Sequence, residues 1–75
     1  MKELIEYIAK TIVDKPDAVV VREERGDNAI IIRLSVAPED MGKVIGRQGR
    51  IAQAMRTLLR VSSIRHGTRA ILEIE

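Results

Sequence analysis

The segment GKVIGRQGRIA, residues 42–52, carries most of the information about the fold and function of this 75-residue chain. Its glycines, Gly46 and Gly49, enclose an arginine and a glutamine, and apolar residues stand on both sides of the pair. Glycine allows the backbone to turn sharply and to approach a bulky partner closely. A helix that starts after the second glycine presents unpaired N–H groups with partial positive charge, which favours phosphate as a ligand. The alternative is a tight turn between two helices that binds nothing.

Outward from this segment, the spacing of apolar residues predicts a helix on either side of the glycine pair and four further elements. Turn-forming residues at 25–28 predict an antiparallel pairing of the first two strands, and the helical crossover after the second strand predicts a parallel pairing with the third. The predicted elements are helix 2–14, strand 18–23, strand 29–36, helix 38–45, helix 50–65 and strand 68–75. We therefore predict an α+β fold of order α-β-β-α-α-β, with a three-stranded mixed sheet covered on one face by three helices. The second strand is the most apolar and is placed at the centre.

The long predicted helix carries more apolar surface than one small core needs. The stripe expected to face the sheet consists of Ile51, Met55, Leu58 and Ser62, with Ala54 and Leu59 at its margins. Three further residues lie off this stripe: Thr57, Val61 and Ile64. They either pack against the first helix or form a self-association surface, and the sequence leaves both possibilities open.

Length and composition narrow the class of protein. A chain of 75 residues and 8.4 kDa is expected to form one domain over residues 1–75, and its 45% of hydrophobic residues is enough for a core. No apolar run approaches the length of about 18 residues that a membrane span needs. The first residues, MKELIE, lack the uninterrupted apolar stretch of a signal peptide. We therefore expect a cytoplasmic protein with no membrane partner.

The charges are distributed unevenly along the chain. Residues 1–40 carry six basic and nine acidic side chains, a net charge of −3, whereas residues 41–75 carry seven basic and two acidic ones, a net charge of +5. Six of those seven basic residues are arginines, which suit phosphate and base recognition. A field of one sign attracts polyanions, so this pattern favours a nucleic-acid partner, with a merely solvated helix face as the alternative.

The chain lacks the residues that most catalytic and cofactor sites require. It has no cysteine and one histidine, which leaves little for a thiolate zinc site or another transition-metal site. The nucleotide-binding patterns G-x-x-x-x-G-K-[S/T] and G-x-G-x-x-G are both missing. No nucleophile, base and orienting group stand out together. We expect a protein that is not an enzyme, with no catalytic residues, no metal site and no cofactor.

The stretch VIGRQG, residues 44–49, resembles the signature of KH domains, and the predicted element order resembles their type II, prokaryotic arrangement. The resemblance covers essentially the whole chain. Residues 42–52 followed by MRTL at 55–58 are similar to the KhpA (YlqC) family of small bacterial single-KH proteins. Many KH domains place a larger aliphatic residue where this chain has Ala52, and here the aliphatic Ile51 comes one position earlier. The resemblance implies an RNA chaperone or post-transcriptional regulator that self-associates as a dimer and pairs with a larger Jag-type KH protein.

The resemblance also implies the residues that bind single-stranded RNA, because the GXXG loop of a KH domain clamps four backbone nucleotides. Gly46 and Gly49 are expected to shape the loop, and Arg47 and Gln48 to contact phosphates. Lys43 and Arg50 would add positive charge on either side. An apolar groove between the helical pair and the central strand would hold the bases, with candidate linings Val44, Ile45 and Arg33. The alternative is a protein-interaction module that forms homodimers or heterodimers with another KH protein and has only weak RNA affinity.

Overall fold

The computed structural model describes residues 1–75 and contains the six elements in the predicted order. Short 3-10 turns at Pro16–Ala18, Pro38–Asp40 and Arg47–Gly49 precede β1, α2 and α3 respectively. Even the longest helix, with 17 residues, is too short and too polar to span a lipid bilayer. The elements are α1 (Lys2–Ile12), β1 (Val20–Arg25), β2 (Ala29–Ser35), α2 (Met41–Ile45), α3 (Arg50–His66) and β3 (Arg69–Ile74).

The three strands form one mixed sheet in the order β1-β2-β3. β1 runs antiparallel to β2, with Val21 opposite Leu34, and β3 runs parallel to β2, with Leu72 opposite Ile32. The long connection through α2 and α3 makes the parallel pairing possible, because parallel strands need a crossover. The predicted α+β fold with a central second strand is confirmed, and it has the arrangement of a type II KH domain.

The hydrophobic core lies between one face of the sheet and the three helices. Alternate residues of β2 point into it, and Ile32 and Leu34 are fully buried. Ile5 of α1, Val44 of α2 and Met55 of α3 meet them from the helical layer. The opposite face of the sheet carries charged and half-buried side chains and has no helix over it. The molecule therefore has one covered sheet face and one open sheet face.

The first helix ends earlier than predicted, at Ile12 instead of residue 14, and β1 begins at Val20 instead of residue 18. The helix ends where two long-range hydrogen bonds begin, and a 3-10 turn at Pro16–Ala18 delays β1. The buried carboxylate of Asp40 accepts the backbone N–H groups of Asp14 at 3.2 Å and Lys15 at 3.0 Å. These N–H groups bind a side chain that stands 26 and 25 residues later in the chain, which the local pattern does not reveal.

The predicted sheet-facing stripe of α3 is confirmed at Met55 and at the marginal Leu59, and Ile51 is half-buried against the core, but Leu58 is wrong. The buried residues are Ala52, Met55, Leu59 and Ser63, which also follow helical spacing but on a helix rotated relative to the prediction. Small residues at 52 and 63 allow α3 to lie close to the sheet, whereas Leu58 is 44% exposed. Val61 and Ile64 are 54% and 74% exposed, so the proposed packing of these side chains against α1 is also wrong.

Candidate nucleic-acid interface

The loop between α2 and α3 has an unusual backbone. Gly46 adopts φ 78° and ψ 174°, Gln48 adopts 57° and 26°, and Gly49 adopts 73° and 16°. Gln48 is the only residue other than glycine with a positive φ in the chain. The N–H of Gly46 donates to the carbonyl of Gly42 at 2.8 Å, and that of Gly49 donates to the carbonyl of Gly46 at 3.1 Å. The loop is therefore an ordered tight turn whose tip is formed by Arg47 and Gln48, both exposed.

The two glycines of the loop have different structural roles. A Cβ atom on Gly46 would lie 2.7 Å from the Cγ1 atom of Ile51 and 3.0 Å from its backbone nitrogen. Gly46 is thus required for the packing of the loop against the first turn of α3, and the half-buried Ile51 packs against the core as well as beside Gly46. A Cβ atom on Gly49 would meet nothing within 4 Å. Gly49 therefore presents bare backbone to open space, where another molecule could approach it.

The start of α3 adds positive charge to this loop. Gly49 is the N-cap residue, so the first N–H groups of the helix have no side-chain acceptor, and the first turn contains no acid. Arg50 donates a hydrogen bond to the Gln48 side chain at 3.3 Å. Neither Arg47 nor Arg50 belongs to any of the ion pairs of the chain. The predicted loop residues 46–50 therefore come together as one exposed, basic and largely uncompensated surface.

Lys43, predicted to add charge beside the loop, is already paired. Its ammonium group is hydrogen-bonded to Asp14 and lies 3.8 Å from the buried carboxylate of Asp40. The bond to Asp14 raises the pKa of Lys43. This lysine connects α2 to the segment that follows α1, and its charge is compensated within the protein.

Two predicted groove residues lie elsewhere. Val44 is fully buried in the core, so it lines no open groove. Arg33 lies on the open face of the sheet, opposite the helices, where it donates to Glu24 at 2.6 Å and to Glu73 at 2.7 Å. Alternation along β2 puts Arg33 on the face that Ile32 and Leu34 do not occupy. The placement of both residues in a base-binding groove is therefore wrong, while Ile45, 38% exposed, does lie next to the loop.

A groove lies between α3 and the edge strand β3. The central strand β2 is paired on both sides, so neither of its edges is open to a ligand. Arg56 and Arg60 stand one turn apart on α3 and Arg69 begins β3 across from them, and none of the three has an ion-pair partner. The groove is lined by Arg56, Arg60, Ser63, Arg69, Ala70, Ile71 and Leu72.

The sequence places Arg56 and Arg60 four residues apart and leaves open whether they contact solvent or RNA, but it does not reveal the groove that they line. Arginines four residues apart on a helix share one face, and Arg56 and Arg60 have this spacing. Arg56, the first arginine of the groove, follows Arg50 by six residues, which places it about 9 Å further along the axis of α3.

A separate apolar strip runs along the outer side of α3. It consists of Leu58, Val61 and Ile64, which are 44%, 54% and 74% exposed, together with the exposed Thr57. The Thr57 hydroxyl donates to the carbonyl of Gln53 at 3.0 Å, so its methyl group is the part left for packing. Arg56 and Arg60 line the groove beside β3, and the strip adjoins them on the helix surface, with Ile64 one turn after Arg60. α3 therefore offers two adjoining surfaces.

Comparison with known proteins agrees with the fold and the loop. The sequence matches the family described as KhpA/KhpB, KH domain, over residues 2–74. It is 60% identical over 74 residues to the RNA-binding protein KhpA of Caldanaerobacter subterraneus and 54% identical over 74 residues to that of Clostridium perfringens, with 99% of each chain covered in both cases. It is 46% identical to the RNA-binding protein KhpA of Aquifex aeolicus, over 99% of this chain and 94% of the relative. With its type II arrangement and its GRQG loop, the chain belongs to the KhpA/KhpB family of KH domains.

Proposed function

We propose that this protein binds single-stranded RNA by holding the sugar-phosphate backbone against its GXXG loop. The observation that carries the proposal is the bare backbone of Gly49, which opens onto the uncapped start of α3. Phosphate is the natural ligand of such N–H groups, and Arg47 and Arg50 add charge that no carboxylate of the protein compensates. The relatives named RNA-binding protein KhpA support RNA as the partner.

In this proposal the loop binds the RNA backbone and the groove binds the bases. Arg47, Gln48 and Arg50 contact the phosphates, and the bases turn toward the groove between α3 and β3. KH domains clamp four nucleotides in this way. The chain has no Phe or Trp, and its one aromatic residue, Tyr7, lies on α1. Without a stacking platform, binding depends on phosphate contacts and falls steeply with salt.

The proposal is tested by a matched pair of glycine substitutions. Gly49 and Gly67 both adopt left-handed backbone, with φ 73° and 67°, and neither would place a Cβ atom within 4 Å of another group. Gly49→Ala and Gly67→Ala should therefore cost a similar free energy of unfolding, about 1–2 kcal/mol. Only Gly49→Ala places a methyl group where the RNA backbone approaches. Its affinity for a short single-stranded RNA should fall by about tenfold or more, as expected for lost hydrogen bonds to phosphate.

Fluorescence anisotropy with a labelled RNA measures both affinities, and urea unfolding confirms that both variants are folded. Equal RNA affinities for the two variants would remove the loop from the mechanism. The double variant Arg47→Asp/Gln48→Asp supplies a second test that leaves the glycines intact. It should abolish binding with unchanged circular dichroism, because it places two negative charges at the tip of the loop.

A chaperone role is consistent with this mode of binding. Contacts to a few phosphates without aromatic stacking hold any single strand and release it quickly, which suits a protein that helps RNA strands to exchange partners. The wild-type protein should accelerate annealing of two complementary RNA hairpins, and Gly49→Ala should not. An unchanged annealing rate with wild-type protein that demonstrably binds both hairpins would limit the function to binding.

The apolar strip on α3 supports assembly as a second part of the function. Val61 and Ile64 are exposed where no element of the chain covers them, and neither residue lines the arginine groove. A second copy, or a larger Jag-type KH protein, could cover it while leaving the groove open. Val61→Asp and Ile64→Asp should reduce the mass measured by light scattering, whereas Tyr7→Asp on α1, where Tyr7 is 72% exposed, should not. A mass that stays the same in every variant would argue against this surface.

A further inference from the structure

The side chains that line the groove between α3 and β3 offer one kind of hydrogen-bonding group. Arg56, Arg60 and Arg69 carry guanidinium groups, which have five N–H donors and no acceptor. The hydroxyl of Ser63 is engaged, because it donates to the carbonyl of Arg60 at 2.8 Å. The remaining lining side chains are apolar, and no carboxylate or amide side chain faces the groove. The side chains therefore present donors alone to whatever occupies it.

We infer that this groove selects bases whose edges present two adjacent acceptors, guanine above all, and discriminates against adenine. The inference rests on the proposed function, because it concerns the bases of an RNA strand held by the loop. The Hoogsteen edge of guanine presents N7 and O6 side by side, and the guanidinium fork binds that pair with two hydrogen bonds. Adenine presents N7 beside an amino donor, which would face the donors of the arginines and remain unpaired.

The position of the arginines favours base contact over a purely structural role. Arg56 and Arg60 lie one helical turn apart, with about 6 Å between their Cβ atoms, and point toward the strand opposite. No carboxylate holds them, in contrast to Arg33, so their guanidinium groups are available. The outer backbone edge of β3 is unpaired in the sheet and offers both donors and acceptors. That edge can accept any base, so the preference comes from the arginines.

The test compares uridine nonamers that differ at the central position, which holds guanine, adenine or 7-deazaguanine. Wild-type protein should bind the guanine nonamer roughly tenfold more tightly than the adenine nonamer, the usual size of discrimination by one bidentate contact. The 7-deazaguanine nonamer lacks the N7 acceptor and should lose most of this advantage. Fluorescence anisotropy at one fixed salt concentration measures all three affinities.

The double variant Arg56→Lys/Arg60→Lys is the matched protein control. It keeps both positive charges and loses both forks, so its ratio of guanine to adenine affinity should fall from roughly ten to about one. Equal binding of the guanine and adenine nonamers, or of guanine and 7-deazaguanine, would overturn the inference. So would an equal loss of affinity for all nonamers in the double variant, because it would assign the arginines to phosphates.

Failure of this inference is separable from failure of the proposed function. If all nonamers bind equally well and Gly49→Ala weakens them all, the loop clamp holds and the base preference does not. If no nonamer binds at low salt, the proposed function and the inference fall together.

Discussion

The basic residues before Met41 and those after Ile45 are used differently. Five of the six in the first part form ion pairs within the chain: Lys10, Lys15, Arg22, Arg25 and Arg33. None of the six in the second part does: Arg47, Arg50, Arg56, Arg60, Arg65 and Arg69. Lys43, which lies between the two groups, belongs to the paired one. The difference shows that the net charge of +2 says little about the charge available to a polyanion.

The distribution of acids explains this difference. No acid occurs between Met41 and Leu72, so the arginines of α3 have no carboxylate on their own helix. The acids that follow α3 in the chain, Glu73 and Glu75, are engaged on the open sheet face with Arg33 and Arg22. The paired cations are compensated within the protein, and the unpaired ones are available to a ligand.

The largest effect is expected at the centre of the paired region, from Asp40→Asn. The buried carboxylate accepts two backbone N–H groups and lies near Lys43. An asparagine amide can accept with its oxygen, but its NH₂ group would face the second N–H donor. We expect a loss of about 1–3 kcal/mol in the free energy of unfolding, the usual cost of leaving a buried polar group unsatisfied.

Urea unfolding measures this loss, and Asp17→Asn, at an exposed position, is the control. The variant should also shift the NMR amide resonances of Gly46 and Gly49, because Asp40 lies at the start of the short helix that leads into the loop. Stability equal to wild type would mean that Asp40 does not hold the segment after α1 to α2.

The next largest effect on RNA binding is expected from an unpaired cation beside the loop, and a paired cation beside the same loop serves as the comparison. Arg50→Gln removes a charge that we assign to phosphate, so RNA affinity should fall about fivefold to tenfold, equivalent to a net contribution of about 1 kcal/mol. The slope of log K against log salt should become shallower by ~0.7 for the one lost contact. Lys43→Gln removes a charge that Asp14 already compensates, so it should lower stability and leave the slope unchanged.

Salt titrations of RNA binding with both variants measure the two slopes. If Lys43→Gln changed the slope as much as Arg50→Gln, the ion pair with Asp14 would have to open when RNA binds. The distinction between paired and unpaired cations would then fail at its most informative position.

The sequence predicts only part of this distinction between paired and unpaired cations. The order of elements followed from apolar spacing, and the excess of positive charge after residue 40 was visible by counting. The location of the groove could not be predicted from the sequence, because it depends on β3 occupying the sheet edge beside α3. Arg33 was placed in the groove, yet strand alternation puts it on the side away from Ile32. Pairings such as Asp14 with Lys43 join residues 29 apart, and no local pattern contains that information.

The rotation of α3 illustrates the same limit within a single helix. Ile51 and Ala52 are neighbours, and apolar spacing allows either to begin the buried stripe. The structure buries Ala52 and uses Ile51 to contact Gly46. The choice depends on how closely α3 approaches the sheet and the loop, which is a property of the packed molecule. The same rotation directs Arg56 and Arg60 to the groove and Val61 and Ile64 to solvent.

A smaller effect is expected on the open face of the sheet. Arg33→Gln should leave RNA affinity within about twofold of the wild-type value, because a charge compensated by glutamates releases no bound counterion from RNA. Its melting temperature should fall slightly, since Glu24 and Glu73 lose their shared partner. Anisotropy and thermal unfolding check the two statements. A large loss of RNA binding would place part of the interface on the open face and contradict the comparison.

The smallest effect concerns the pH dependence of the paired region. The hydrogen bond from Arg33 lowers the pKa of Glu24, and the hydrogen bond from Lys15 lowers the pKa of Glu39, both from the ordinary value of 4.5. Near and below pH 4.5 the unfolded chain binds protons that the folded protein still excludes. The contribution of these ion pairs to the free energy of unfolding is therefore present above pH 4.5. It is lost as the pH falls through the lowered pKa values. Because both pairs are exposed, the effect is modest and is screened by salt.

Thermal unfolding between pH 6 and pH 3 should therefore show a smaller loss of stability in Glu24→Gln/Glu39→Gln than in the wild type, and 1 M NaCl should reduce the difference. Parallel pH profiles at low salt would mean that these ion pairs contribute nothing to folding, and the paired cations would then differ from the unpaired ones only in their availability to RNA.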